Sequence, residues 1–184
     1  MKKLLFVVCT ALFAVGCNDK TTSTETTTSD TTKVAETKTE KLDYPYTLDK
    51  PYQDWQPGDQ KHAVNVMKSL KAWETNNMAE AVSYFGDNVD LRFDNFHKTV
   101  PHDSLTNFLV MGRAQYASVT IEMGDWESVI SKDGKEEWVT LWYKQKFTDK
   151  SGKSDSMSVV NDAKIVNGKV VVLDEKVQHY EAKK

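Results

Sequence analysis

The chain has 184 residues, a formal net charge of −3 at pH 7 and two cysteines, Cys9 and Cys17. This mild acidity excludes nucleic acid as an expected partner, because phosphate binding needs a basic surface. Both cysteines fall within the first 17 residues, so the rest of the chain contains no thiol. Thiol catalysis and cysteine-ligated zinc are therefore excluded.

The first 17 residues have the organisation of a secretion signal. Lys2-Lys3 gives a positive start, and the apolar run Leu4 to Val15 is too short to span a bilayer as a helix. The run ends in Ala14-Val15-Gly16-Cys17, which resembles the lipobox of bacterial lipoproteins, where a peptidase cuts before an acylated cysteine. The resemblance implies a signal peptide at residues 1–16 and lipidation of Cys17. An ordinary signal peptide is the alternative.

An acylated Cys17 would make the lipid bilayer a partner and place the protein in the cell envelope. Residue 18 is Asn, not the Asp that retains enteric lipoproteins at the inner membrane. We therefore expect the outer membrane, with the domain facing the periplasm or the exterior. Residues 18–41 contain ten Thr and no aromatic residue, which predicts a disordered tether, because so few apolar groups cannot offset the entropy of ordering. Cysteine and tether together occupy residues 17–42.

Residues 43–184 have the size of one domain, and helices are predicted in the first half of it. From Asp59, apolar residues at helical spacing predict an amphipathic helix that ends at Asn76-Asn77. A short second helix follows from Met78, and Asp103 or Ser104 can cap a third. The aromatic residues expected to anchor an extended lead-in to these helices are Tyr44, Tyr46, Tyr52 and Trp55.

Strands are predicted for most of the remainder. Apolar and polar residues alternate from Val89 to Asp94, which predicts a half-buried strand, followed by a loop that contains Pro101. Four more strands are predicted at 119–130, 137–147, 157–166 and 169–180, and Asn167-Gly168 is a strong hairpin signal. Consecutive hairpins make an antiparallel meander that needs cover on its apolar face, so the fold class is α+β.

This order of elements resembles the nuclear-transport-factor-2-like superfamily, which includes SnoaL-like proteins. The local sequence that carries the resemblance is WETNNMAEAVSYFGD, from Trp73 to Asp87, in which Phe85-Gly86-Asp87 leads into a strand. The resemblance covers residues 60–181 and implies a cone: a curved antiparallel sheet, one strand and then a four-stranded meander, packed on three N-terminal helices. Members include isomerases, cyclases, dehydratases and non-catalytic binders, so the fold does not by itself specify a function.

The resemblance allows one test of activity. Ketosteroid isomerases of this superfamily place a Tyr donor in the first helix and an Asp base at the end of the first strand. Matched on the Phe85-Gly86-Asp87 step, these positions fall on Ser69 and Phe93. A serine hydroxyl is a weaker acid than a phenol, and a phenyl ring cannot take a proton, so isomerase chemistry of that kind is not expected.

Three residues are candidates for acid–base catalysis. Asp162 and Asp174 lie in otherwise apolar strands, and a carboxylate inside an apolar cone would have a raised pKa. An outward-facing charge is the favoured alternative for both. His102 could work with Asp103 at a pocket mouth. His97 and His102 are five residues apart around Pro101, so no metal site is expected, and no cofactor either.

Four aromatic residues, Trp126, Trp138, Trp142 and Tyr143, are candidates for a ligand site or an interface. Trp138 and Trp142 fall on the face of their strand opposite to Tyr143, and aromatic residues on an outer sheet face favour an interface. Members of the superfamily often dimerise through that face, so a homodimer is expected; stacking on a small apolar ligand is the alternative. Gly124 predicts a bulge that would re-aim Trp126.

The sequence favours a lipid-anchored, non-catalytic domain that binds a small apolar ligand or another protein. The alternative is a SnoaL-like small-molecule enzyme, an acid–base isomerase, cyclase or hydro-lyase acting on an apolar substrate. A charged side chain deep in the cone would favour the enzyme. A cavity filled by Phe, Leu and Trp would favour binding or scaffolding.

Overall fold

A computed structural model describes residues 43–46, 54–94 and 96–179. The described residues from Tyr46 onward belong to one compact unit. The predictions for the leader, for Cys17, for the tether and for Tyr52 lie outside the described residues. Tyr44 and Tyr46 are largely exposed, so they do not anchor the lead-in as predicted. Within the described part of the chain, no helix combines the length and the apolar character needed to cross a membrane.

Helix α1 (Gln60–Glu74) begins where the sequence predicts. The Asp59 carboxylate accepts a hydrogen bond from the backbone N–H of Lys61 at 2.9 Å, which satisfies a donor that the first turn leaves unpaired. Asn76, at φ 64°, adopts the left-handed conformation that commonly follows a helix. Local polar chemistry therefore sets both ends of α1.

Helices α2 (Met78–Ser83) and α3 (His102–Ala114) complete the predicted set of three. The N-cap of α3 is Pro101, with no side-chain cap hydrogen bond, so the predicted capping by Asp103 or Ser104 is wrong. The ring of Pro101 fixes φ at −71° and supplies no N–H, which allows the helix to start at once behind it. Asp103 lies instead in the first turn, where its charge complements the helix dipole.

Among the described residues, seven strands form one sheet in the order β1-β4-β5-β6-β7-β2-β3, with β1 and β3 at its edges. Strand β2 runs parallel to β7, and all other neighbours are antiparallel. The meander β4 to β7 is therefore confirmed. The strands are β1 (Gln56–Pro57), β2 (Phe85–Phe93), β3 (Phe96–Pro101), β4 (Tyr116–Ile130), β5 (Glu137–Asp149), β6 (Ser154–Val166) and β7 (Lys169–His179).

Two edge strands were not expected. The predicted loop before Pro101 is wrong, because residues Phe96–Pro101 pair with β2 as strand β3. Only Val100 in that strand is buried, so β3 lacks the apolar alternation that identifies a half-buried strand. Strand β1 has two exposed residues paired with the end of β4, which is too short to leave any periodic signal.

The core lies between the three helices and one face of the sheet, which we call the inner face. Its largest fully buried side chains come from β2, β5 and β6 and from α3, so helix and sheet contribute to one cluster. The Asn167-Gly168 turn behaves as predicted, since both residues have positive φ, 50° and 74°. The largest fully buried residues are Leu91, Leu105, Leu141, Val89, Val139 and Val159.

Candidate functional site

A cavity of about 300 Å³ opens between the inner face of the sheet and helices α1 and α3. Its walls are predominantly apolar and aromatic, and a few polar groups lie among them. This combination is typical of small-molecule sites. The lining residues are Val66, Ser69, Leu70, Trp73, Phe85, Phe93, Phe108, Leu109, Gly112, Gln115, Tyr116, Leu141, Tyr143, Gln145, Met157, Asn161, Val170, Leu173 and Glu175.

Glu175, Asn161 and Tyr143 form the polar end of this cavity. Asn161 on β6 lies directly opposite Glu175 on β7, so their side chains are neighbours on one face of the sheet. The Asn161 Nδ2 donates a hydrogen bond to the Tyr143 hydroxyl oxygen at 3.0 Å. Three strands therefore converge to place a carboxyl, an amide and a phenol inside an apolar site.

Burial shifts the titration of this cluster. Removal from water raises the pKa of Glu175 to about 7, against an opposing contribution from hydrogen bonding with Asn161. Burial also raises the pKa of Tyr143 well above its usual value, and the nearby Glu175 charge adds to this effect. The pKa of Tyr116 is raised for the same two reasons. A carboxyl group with a pKa near neutrality can both accept and donate a proton under physiological conditions.

Asn161 carries an unpaired acceptor. The residue is only 6% exposed, and its Oδ1 has no hydrogen-bond partner among the described residues. A buried polar atom without a partner costs free energy, so such an atom in a native structure calls for an explanation. Because Asn161 lines the cavity, a bound molecule could supply the missing donor.

A bulge in β7 explains why Glu175 faces the cavity. The pairing of β6 with β7 shifts where Lys164 lies opposite Val172 and Ile165 lies opposite Val170. One extra residue in β7 reverses the alternation beyond that point. Leu173 and Glu175 consequently line the cavity on the inner face.

Asp162 and Asp174 lie opposite each other on the other face of the sheet, outside the cavity lining. Lys176 reaches both carboxylates, at 2.8 Å and 3.1 Å. Thr140 also donates to Asp162 at 2.7 Å. The two sequence candidates thus form a half-exposed ion-pair cluster, the outward-facing arrangement that was the favoured alternative for them.

His102 and His97 are engaged in separate places. The His102 Nε2 lies 3.1 Å from the backbone oxygen of Val82, which ties the start of α3 to α2. The His97 Nε2 lies 2.9 Å from Asp90 Oδ1 on the neighbouring strand. Neither histidine lines the cavity, and no cluster of three or more His, Cys, Asp or Glu with metal-binding geometry occurs among the described residues.

The aromatic candidates separate into two groups. Tyr143 lines the cavity. Trp138 lies outside it, where its Nε1 donates to Glu136 at 3.2 Å and Lys164 Nζ lies 5.9 Å from its ring centroid. Trp142 is also outside the lining and is 37% exposed.

The bulge predicted at Gly124 is present, because the β4–β5 register shifts between Met123 and Asp125. It places Trp126 directly opposite Leu141 and therefore on the inner face. Trp126 is nevertheless 47% exposed and does not line the cavity.

Ser69 and Phe93, the two positions matched to the isomerase residues, both line the cavity. The Ser69 hydroxyl donates to the backbone oxygen of Ala81 at 2.8 Å, so it ties α1 to α2. Phe93 packs against Phe108, with ring centroids 5.3 Å apart. The matched positions thus belong to this site, and their contacts are structural.

Sequence reasoning missed Glu175, Asn161, Gln145 and Tyr116. The nearest signal was the group of carboxylates in apolar strands, which pointed to Asp174, one residue before Glu175. Gln145 continues the apolar series of β5, and it is buried. A polar residue at an apolar-phase position of a strand was therefore the usable signal for this site.

No protein-family model matches the chain, and no curated protein matches it. Similar solved structures include AusH from Aspergillus nidulans, with TM-score 0.54 and 13% identity over 67% of this chain and 87% of that one. For a nuclear-transport-factor-2-like protein from Burkholderia pseudomallei, the TM-score is 0.53 and the sequence identity 14%, and the match covers 64% of this chain and 90% of that one. For a LEH-like epoxide hydrolase from M. tuberculosis, the TM-score is 0.51 and the sequence identity 11%, and the match covers 65% of this chain and 84% of that one. The chain therefore has the nuclear-transport-factor-2-like cone fold that its element order predicts.

Proposed function

We propose that this protein is a membrane-anchored domain of the cell envelope that binds a small, largely apolar molecule inside its cone. The observation that carries the proposal is the cavity of about 300 Å³ with apolar walls and one polar end. Apolar walls supply affinity, and a few polar groups fix the orientation of the bound molecule. The unpaired Asn161 Oδ1 supports the same proposal, because a ligand donor would satisfy it.

Gly112 offers a way to fill the cavity without disturbing its frame. It lines the cavity from α3, and a Cβ at this position would meet no atom within 4 Å. We expect Gly112→Phe to place a ring in the cavity and to weaken binding of 4-phenylbutan-1-ol by about tenfold or more. Titration calorimetry on the chain carrying Cys17→Ser, which removes any acyl group that could compete for the site, measures this.

Gly112→Ala is the matched control. It changes the same position, leaves most of the cavity open, and should raise the free energy of unfolding by about 0.5–1 kcal/mol, since alanine favours a helix over glycine. Equal binding of the alcohol by Gly112→Phe and Gly112→Ala would contradict binding in this cavity.

The anchoring part of the proposal rests on the sequence from Ala14 to Cys17 and on Asn18, which favours the outer membrane. We expect Cys17→Ser to abolish incorporation of labelled palmitate, because its thiol is the acylation site that the lipobox implies. Cys9→Ser, which alters the other thiol of the same leader, should leave the label in place. Retention of the label by Cys17→Ser would contradict the anchor.

Acid–base catalysis in the same cavity is a second candidate function. The observation that favours it is Glu175, a carboxyl group in an apolar site with a pKa of about 7. The likeness in fold to an epoxide hydrolase adds an example of an enzyme with this architecture. The two candidates differ in one requirement: catalysis would be lost in Glu175→Gln, whereas binding of a neutral apolar molecule would survive it.

A further inference from the structure

The charge of the cavity comes from a single side chain. Among the described residues that line it, Glu175 is the only charged one, and no Lys, Arg or His is present. Glu175 forms no ion pair with another described residue. An ionised carboxylate in an apolar site without a counter-charge is costly, and a ligand that carries the counter-charge removes that cost.

The polar end of the cavity also holds an acceptor that has no donor among the described residues. The Asn161 Nδ2 donates to the Tyr143 hydroxyl oxygen at 3.0 Å, and hydrogen bonding with Asn161 also favours the ionised form of Glu175. The unpaired Asn161 Oδ1 and the Glu175 carboxylate, which has no counter-charge in the described part of the chain, lie on neighbouring strands at this end. A ligand group with several N–H donors and a positive charge would satisfy these acceptors together.

The apolar and aromatic walls of the cavity suit an apolar body attached to such a charged head group. Trp73, Phe93, Phe108 and Tyr116 are among the residues that line the cavity, and aromatic faces attract cations as well as apolar groups. A volume of about 300 Å³ has room for roughly ten non-hydrogen atoms, at about 30 Å³ for each water-sized unit. The site therefore fits one short apolar body with one polar head.

Building on the proposed binding function, we infer that the ligand is a cationic amine with a short apolar body, whose ammonium group binds between Glu175 and Asn161. An anionic head group would face the Glu175 carboxylate and is disfavoured. A neutral hydroxyl group could satisfy Asn161 Oδ1 but would leave the carboxylate without a counter-charge.

Three probes with the same apolar body test this inference: 4-phenylbutylamine, 4-phenylbutan-1-ol and 4-phenylbutyrate. Titration calorimetry on the chain carrying Cys17→Ser, at about pH 8, keeps Glu175 ionised and the alkylamine protonated. We expect the dissociation constant of the amine to be lower than that of the alcohol by about tenfold or more. Hydrogen bonds to charged groups contribute more free energy than neutral ones, by an amount that corresponds to this ratio. The carboxylate should bind most weakly.

Two substitutions in adjacent residues complete the design. Glu175→Gln should remove the preference for the amine over the alcohol, and a cooperative urea transition at pH 8 shows that the variant is folded. Asp174→Asn removes a negative charge one residue away on the other face, and it should keep the preference.

The outcomes separate this inference from the function on which it rests. If the alcohol or the carboxylate binds the unsubstituted site as tightly as the amine, the inference that the ligand is cationic is wrong, while the proposed binding of a small apolar molecule is still supported. A preference that persists in Glu175→Gln likewise overturns the inference. If none of the three probes binds, the proposed binding function fails, and this inference fails with it.

Discussion

Replacing Glu175 by Gln should raise the free energy of unfolding by about 2–3 kcal/mol more at pH 8 than at pH 5. Burial raises the pKa of Glu175 from 4.5 to about 7. Between these values the folded chain keeps a proton that the unfolded chain has released, so unfolding releases a proton and a rise in pH favours the unfolded state. The stabilisation from the buried neutral carboxyl is therefore complete below pH 4.5 and lost above pH 7.

Urea denaturation of both chains at the two pH values measures this difference. Both chains contain the same other titrating groups, so the contributions of these groups cancel when the two free energies of unfolding are subtracted. Asp174→Asn is the control, since this carboxylate is half-exposed and paired with Lys176 at 3.1 Å, and exposed ion pairs contribute less than about 1 kcal/mol. If Glu175→Gln has the same effect at both pH values, the carboxyl group is not buried in the apolar cavity.

Leu105→Ala should lower the free energy of unfolding by about 2–5 kcal/mol. Leu105 is fully buried, at 0% exposure, and belongs to the cluster in which α3 packs against the sheet. Removing three carbons there loses apolar burial and leaves a void that close-packed neighbours fill only in part. The same helix carries Phe108, Leu109 and Gly112 of the cavity wall, so this contact also positions the site.

Met111→Ala is the matched control on the same helix. Met111 is 67% exposed, so its truncation should change the free energy of unfolding by no more than about 0.5 kcal/mol. Urea denaturation at one pH compares the two variants. Equal effects would mean that α3 does not pack on the sheet through Leu105.

Local chemistry in the sequence was enough to predict the helices and the meander. Asp59 and Asn76 mark the ends of α1 through groups within a few residues of the helix itself. The Asn167-Gly168 turn needs positive φ at both positions, which few other residue pairs adopt easily. Long strands of alternating polarity, such as β5, are visible because each buries one face along its whole length.

The edge strands were missed because their pairing, and not their composition, makes them strands. Strand β3 buries one residue, Val100, and its hydrogen bonds go to β2. Strand β1 is defined by two residues that pair with β4. The partner of β1 lies more than 70 residues away along the chain, so no local pattern can record it.

The sequence alone determined the α+β class, the order of the three helices and of strands β2 and β4 to β7, and the presence of carboxylates in apolar strands. Only the tertiary structure decided which carboxylate faces the cavity. Asp174 was the candidate because it lies in an otherwise apolar strand, but the bulge opposite Lys164 and Ile165 reverses the faces of β7 and brings Glu175 inward. A bulge shifts every later side chain to the other face. Strand β7 contains no glycine such as the one that predicted the bulge in β4, so only its pairing with β6 revealed the bulge.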